Sequence, residues 1–99
     1  MNDKPFDDVM IDIYKENPEL AVEMLNSILE DGEQWELMLA LRHLSKAFGG
    51  VRGVAKDANL NPNQLYRTLS EKGNPELKSL TAILRAMGMR LAVQPLQTT

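Results

Sequence analysis

A chain of 99 residues that is 43% apolar fills one modest core and does not divide into two. The absence of cysteine excludes a disulfide framework and thiol chemistry, and the single histidine, His43, has neither Cys nor a second His with which to build a metal site; a surface or capping role is expected for it. No apolar run approaches the length of a membrane span, and Met1-Asn2-Asp3-Lys4-Pro5 is no signal peptide, so a cytoplasmic protein without membrane association is expected.

The net charge of −3 is unevenly spread. Residues 1–50 hold four Lys/Arg against eleven Asp/Glu, a balance of −7, while residues 51–99 hold seven against three, a balance of +4. Binding to a polyanion depends on the local field of a basic face rather than on the total, so the second half remains compatible with nucleic acid. The acidic half fits either a basic partner protein or an ordinary solvated helical surface.

Met1 to Phe6 is expected to be loose. Val9, Ile11 and Ile13 alternate with Met10, Asp12 and Tyr14, which permits a short strand; a helical turn is also compatible. Asn17-Pro18 marks a helix start, after which Leu20, Ala21, Met24, Leu25, Ile28 and Leu29 line one face, and Asp31-Gly32 ends the helix. A further helix is expected from about Gln34 to Phe48. Leu37, Leu41, Leu44 and Phe48 form one apolar stripe, with Trp35, Met38 and Leu39 beside it, so this helix buries most of its girth and is central. Trp35 and the six methionines read as core filling rather than as a ligand pocket.

Gly49-Gly50 breaks the chain before its most informative stretch. Ala55 is small where two helices must approach, Asn59 stands where the chain turns, and Leu65 presents an apolar side chain back to the first helix. Asn tolerates the left-handed conformation better than other residues with a Cβ, so a positive φ is expected at Asn59. This spacing is that of a helix-turn-helix. Asn61 caps the second helix, Pro62 suits its first position, and Gln64 follows three after the cap as in a capping box. Leu65 and Leu69 point inward at i, i+4 spacing, which leaves Asn63, Gln64, Tyr66 and Arg67 outside. Asn and Gln pair with adenine and Arg with guanine, so this face suits base edges or phosphates; the bland alternative is a solvated helix surface.

Ser70 to Gly73 forms a loop in which Lys72 is placed for a phosphate, and Asn74-Pro75 is expected to cap the last helix, whose N-terminus could also receive one. Leu77, Leu80, Ile83, Leu84 and Met87 make that helix's buried face, and Gly88 stops it. Met89, Leu91 and Val93 alternate with Arg90, Ala92 and Gln94 as in a strand ending at Pro95, with Thr98-Thr99 expected to be disordered. A lone strand needs a partner, either Val9–Tyr14, its own copy in a second subunit, or another protein.

Asn61 to Met89 resembles the lambda-repressor/Cro-type helix-turn-helix of addiction-module antidote proteins, the antitoxins paired with RelE-like toxins. The residues that carry the likeness are Leu65-Tyr66-Arg67-Thr68-Leu69-Ser70, Lys72-Gly73-Asn74-Pro75-Glu76-Leu77, Leu80, Leu84 and Met87-Gly88-Met89-Arg90-Leu91. Two positions depart from the wider pattern: Asn59, where Gly is usual, and Gly53, where a polar helix former is common. The resemblance implies a mainly α, five-helix lambda-repressor-like DNA-binding domain with an N-terminal helical extension and a short C-terminal β-strand. The chain is then one domain, 1–99: an N-terminal strand/helical part at 1–48, the helix-turn-helix part at 49–88 and a C-terminal strand at 89–94. Its implied function is a repressor that binds its own operator on double-stranded DNA as a homodimer and neutralises a RelE-like toxin; the unpaired edge of Met89–Gln94 puts the C-terminal strand at or near the expected dimer interface. The expected DNA-contacting residues are Arg52, Asn61, Asn63, Gln64, Tyr66, Arg67, Lys72 and Asn74. The alternatives are a stand-alone regulator or a protein-interaction module with a degenerate helix-turn-helix. With no carboxylate pair set against the lone His and no phosphate-cradling Gly loop, no enzyme, cofactor, metal or catalytic residue is expected.

Overall fold

The computed structural model describes residues 5–96; the looseness expected of Met1 to Lys4 and of Thr98-Thr99 lies outside them. Six helices follow in order: α1 (Phe6–Glu16), α2 (Pro18–Asp31), α3 (Gln34–Ala47), α4 (Gly50–Asp57), α5 (Pro62–Thr68) and α6 (Leu77–Ala86). The fold is mainly α as expected, with six helices rather than five and no strand among the described residues.

The expected C-terminal strand is corrected, and Val9–Tyr14, compatible with strand or helix, is helix. Phe6 begins a helix rather than a loose end, and Val9–Tyr14 continues it. Tyr14 is buried and Met10, one turn earlier, packs on the core, so the i, i+4 pair decides this segment rather than its apparent alternation. With Val9–Tyr14 helical, Met89–Gln94 has no strand beside it in the chain and runs as irregular backbone. Met89 and Leu91 lean on the core, while Val93 is fully exposed.

The central helix is α3, which touches α1, α2 and α4; α4 in turn touches α5 and α6. Leu41 and Leu44 of α3 are completely buried, and Ser45 is buried beside them because its Oγ–H donates to the Leu41 carbonyl at 2.8 Å. Met38 is core, and Met10, Met24, Met87 and Met89 fill around it. Trp35 is not core: it is half-exposed and its indole N–H donates to Glu33 Oε2 at 2.9 Å. Glu33 and Glu36 form the capping box that opens α3. His43 is not on the surface; it is 4% exposed and partnered by Asp7, 36 residues earlier in the chain. Leu29 and Leu77, both expected inside, are exposed.

Asn17 and Pro18 open α2, although the Asn17 side chain makes no cap bond, and α2 stops at Gly32 in extended rather than left-handed backbone. Gly49 and Gly50 have φ of 112° and 82°, a pair of left-handed residues that lets α3 run into α4 with almost no linker.

Candidate nucleic-acid interface

The pair α4–α5 is joined by residues 58–61. Ala55, completely buried, gives α4 its close approach to its neighbours. The turn is closed by two backbone bonds, Leu60 N–H to Ala55 O at 2.8 Å and Asn59 N–H to Lys56 O at 3.1 Å, the pattern of a Schellman motif. Asn59, with φ of 60°, is the only residue with a Cβ at positive φ among those described, as its place in the sequence predicts. The end of α6 repeats the device at Gly88 (φ 81°), where Met89 N–H reaches Leu84 O at 2.8 Å.

α5 has seven residues, too few to be a stable helix alone. Its order comes from Leu65 and Leu69, which are 0% and 1% exposed and stabilise it by about 1.5–3 kcal/mol each through burial. Asn61 Oδ1 accepts from the Asn63 N–H at 2.8 Å, so the cap bond goes to the second helical residue rather than to Gln64. With its inner face and first turn committed, the outer face is fixed in direction. Asn61, Asn63, Gln64, Arg67 and Thr68 together line one shallow, open groove. The lining presents amide donors and acceptors, a hydroxyl and a guanidinium, and contains no carboxylate.

The other expected residues sit apart from this groove. Arg52 is exposed on α4 and Lys72 is exposed in the loop after α5. Asn74 does not cap α6, which starts at Leu77 with Glu76 before it; its Oδ1 instead lies 3.4 Å from Gln34 Nε2. The last helix therefore opens at Glu76-Leu77 rather than at Asn74-Pro75. Tyr66 is half-exposed and faces the opposite flank of α5, where it lines a cavity of about 230 Å³ with Leu39, Arg42, His43 and Lys46 of α3 and Asp7 of α1.

Thr68 and the α3 residues Arg42 and Lys46 are absent from the sequence-based set. Arg42 and Lys46 at i, i+4 were a legible signal of a basic face; that this face lines one cavity with Tyr66 of α5 was not. His43 Nε2 lies 2.8 Å from Asp7 Oδ1, with the ring of Phe6 edge-on to the imidazole at 5.9 Å. The carboxyl of Asp7 is held below its ordinary range, chiefly by that hydrogen bond and further by the charges of His43, Lys46 and Arg42, against an opposing effect of desolvation. Among the described residues no cluster of His, Asp and Glu is arranged to hold a metal ion, and no helix is long and apolar enough to cross a membrane.

The architecture is that of a small, mainly helical protein which holds a short polar-faced helix outward on a tight turn. Residues 4–95 match the family described as probable addiction module antidote protein, and the chain belongs to that family. It is also similar to an uncharacterized protein of Haemophilus influenzae, with 29% identity over 70 residues that cover 71% of each chain. No solved structure matches it significantly. An antidote acts against a toxin, so membership implies a toxin partner in general.

Proposed function

We propose that this antitoxin is also the transcriptional repressor of its own operator, with α4–α5 as a lambda-repressor-like helix-turn-helix and α5 as the helix that enters the major groove. The observation that carries this reading is the convergence of Asn61, Asn63, Gln64 and Arg67 on one open groove while Leu65 and Leu69 anchor the same helix from behind. Bidentate pairing of Asn or Gln with adenine and of Arg with guanine is the chemistry by which such a face reads base edges. Arg52, Lys72 and Asn74 take phosphate-facing roles around it. One such unit covers little DNA, so the operator is bound by two copies on a palindromic site.

The toxin it neutralises is of the RelE-like kind, bound on the acidic half of the chain. There α2 exposes Glu19, Glu23 and Glu30 beside the apolar Val22 and Leu29, a surface complementary to a basic partner. The protein works in the cytoplasm by binding rather than by catalysis.

A gel shift with the DNA upstream of the gene, run at several salt concentrations, tests the repressor reading. A shifted complex that is lost with Arg67→Ala supports it. The absence of any salt-sensitive complex leaves a protein-interaction module instead.

A further inference from the structure

The cavity on the Tyr66 flank of α5 is left over by the reading above, and its chemistry is specific. Three nitrogen-bearing side chains from one turn of α3, Arg42, His43 and Lys46, meet Tyr66 across it. The His43 side chain is only 5% exposed, so its ring is fixed by packing and its Nε2–H is aimed at one point. In the free protein that point is filled by the Asp7 carboxylate, which accepts the bond at 2.8 Å. Asp7 itself is 57% exposed and belongs to the first turn of α1. A buried, immobile donor is thus satisfied by an exposed acceptor at a helix end, the part of a helix that frays most readily. A phosphate oxygen is an acceptor of the same kind.

The placement selects DNA as the source of that phosphate. An α-helix with its side chains is about 10–12 Å across, and the major groove is about 12 Å wide, so a helix seated there brings its flanks against the bordering phosphates. Gln64 and Arg67 line the outer groove while Tyr66, between them in the chain, lines the cavity. A duplex on the outer face of α5 therefore carries a backbone strand toward Tyr66, Arg42 and Lys46.

We propose that Arg42, His43 and Lys46 form an anion site of the DNA-binding surface, that Asp7 occupies it in the free protein, and that a DNA backbone phosphate displaces Asp7 on docking. The proposal rests on the DNA-binding reading of α5. It makes the first turn of α1 a built-in competitor, which lowers affinity for all duplexes alike and leaves base discrimination to α5.

The test is operator and random-duplex binding by fluorescence anisotropy across a salt series. Asp7→Asn keeps an acceptor for His43 and removes the competing charge; Asp8→Asn removes a charge from the same exposed turn as a control. Asp7→Asn is expected to tighten both duplexes severalfold, clearly more than Asp8→Asn. The double variant Arg42→Gln/Lys46→Gln, with Asp7 and α1 intact, is expected to weaken both duplexes and flatten the salt dependence by roughly one to two in slope. In the triple variant the gain from Asp7→Asn disappears. Thermal melts identify any variant that is unfolded, and the double variant alone then decides. An operator complex that still requires Arg67 but ignores Asp7→Asn and the Arg42/Lys46 substitutions overturns this proposal and leaves the α5 reading standing. A protein that binds no duplex, in wild-type or Asp7→Asn form, overturns both.

Discussion

Gly73 sits against the carbonyl of Thr68 so closely that a Cβ at Gly73 would overlap the oxygen. The residue is buried, its N–H bonds to Ser70 O at 2.7 Å, and its own carbonyl accepts from Gln34 Nε2 at 2.7 Å. The end of α5 is thereby tied to the start of α3 through backbone that leaves no room for a side chain. Gly73→Ala is expected to destabilise the protein by at least about 1 kcal/mol, because the blocking atoms are backbone and cannot rotate away. Urea unfolding measures this; a midpoint equal to wild type would mean the loop yields at no cost.

The turn between α4 and α5 makes a paired prediction. Asn59 has φ of 60° and donates within the closing motif, so Asn59→Gly is expected to be neutral or slightly stabilising. Asn59→Val is expected to cost about 1–2 kcal/mol, since a β-branched side chain in left-handed backbone crowds the following carbonyl. Melting temperatures of the two variants should move in opposite directions or differ clearly.

On α5 the inner and outer faces should separate cleanly. Leu65→Ala opens space in a site with no exposure and is expected to cost about 2–5 kcal/mol of stability. Arg67→Ala is expected to leave stability unchanged while weakening operator binding by about 1–3 kcal/mol with relaxed preference at one base pair. Lys72→Ala should weaken every duplex similarly and reduce the salt slope by roughly 0.9. Equal operator affinity for wild type, Arg67→Ala and Lys72→Ala would remove DNA reading from this helix.

The Asp7–His43 bond sets an acid limit. Asp7 has its folded-state pKa depressed, so the folded protein releases that proton more readily than the unfolded chain. Its contribution to stability is therefore fully present above the ordinary carboxylate value of about 3.9 and is lost as pH falls through the lower folded value. Wild type should lose stability more steeply than Asp7→Asn as pH falls below about 4. Parallel curves throughout would show that the bond contributes nothing in solution.

The sequence by itself determined the features written in backbone chemistry. Asn59 in left-handed geometry, Asn61-Pro62 at the start of α5, Gly88 at the end of α6, and the inward Leu65 and Leu69 against the outward Asn63, Gln64 and Arg67 all follow from the local preferences of those residue types. Tertiary structure decided whatever depends on a distant partner. Val9–Tyr14 had a pattern compatible with helix or strand, and packing against α3 chose helix; that choice left no neighbouring strand in the chain for Met89–Gln94. His43 acquired its role from Asp7, 36 residues away, and Gly73 from the carbonyl of Thr68 folded back upon it. Tyr66 lies within the run of outward residues, yet it lines a cavity with Arg42 and Lys46 of α3 rather than the groove of Gln64 and Arg67, a juxtaposition that exists only in the folded chain. Local conformational preference acts over a few residues and is legible in order along the chain, whereas burial and charge pairing act between elements whose proximity exists only once the chain has folded.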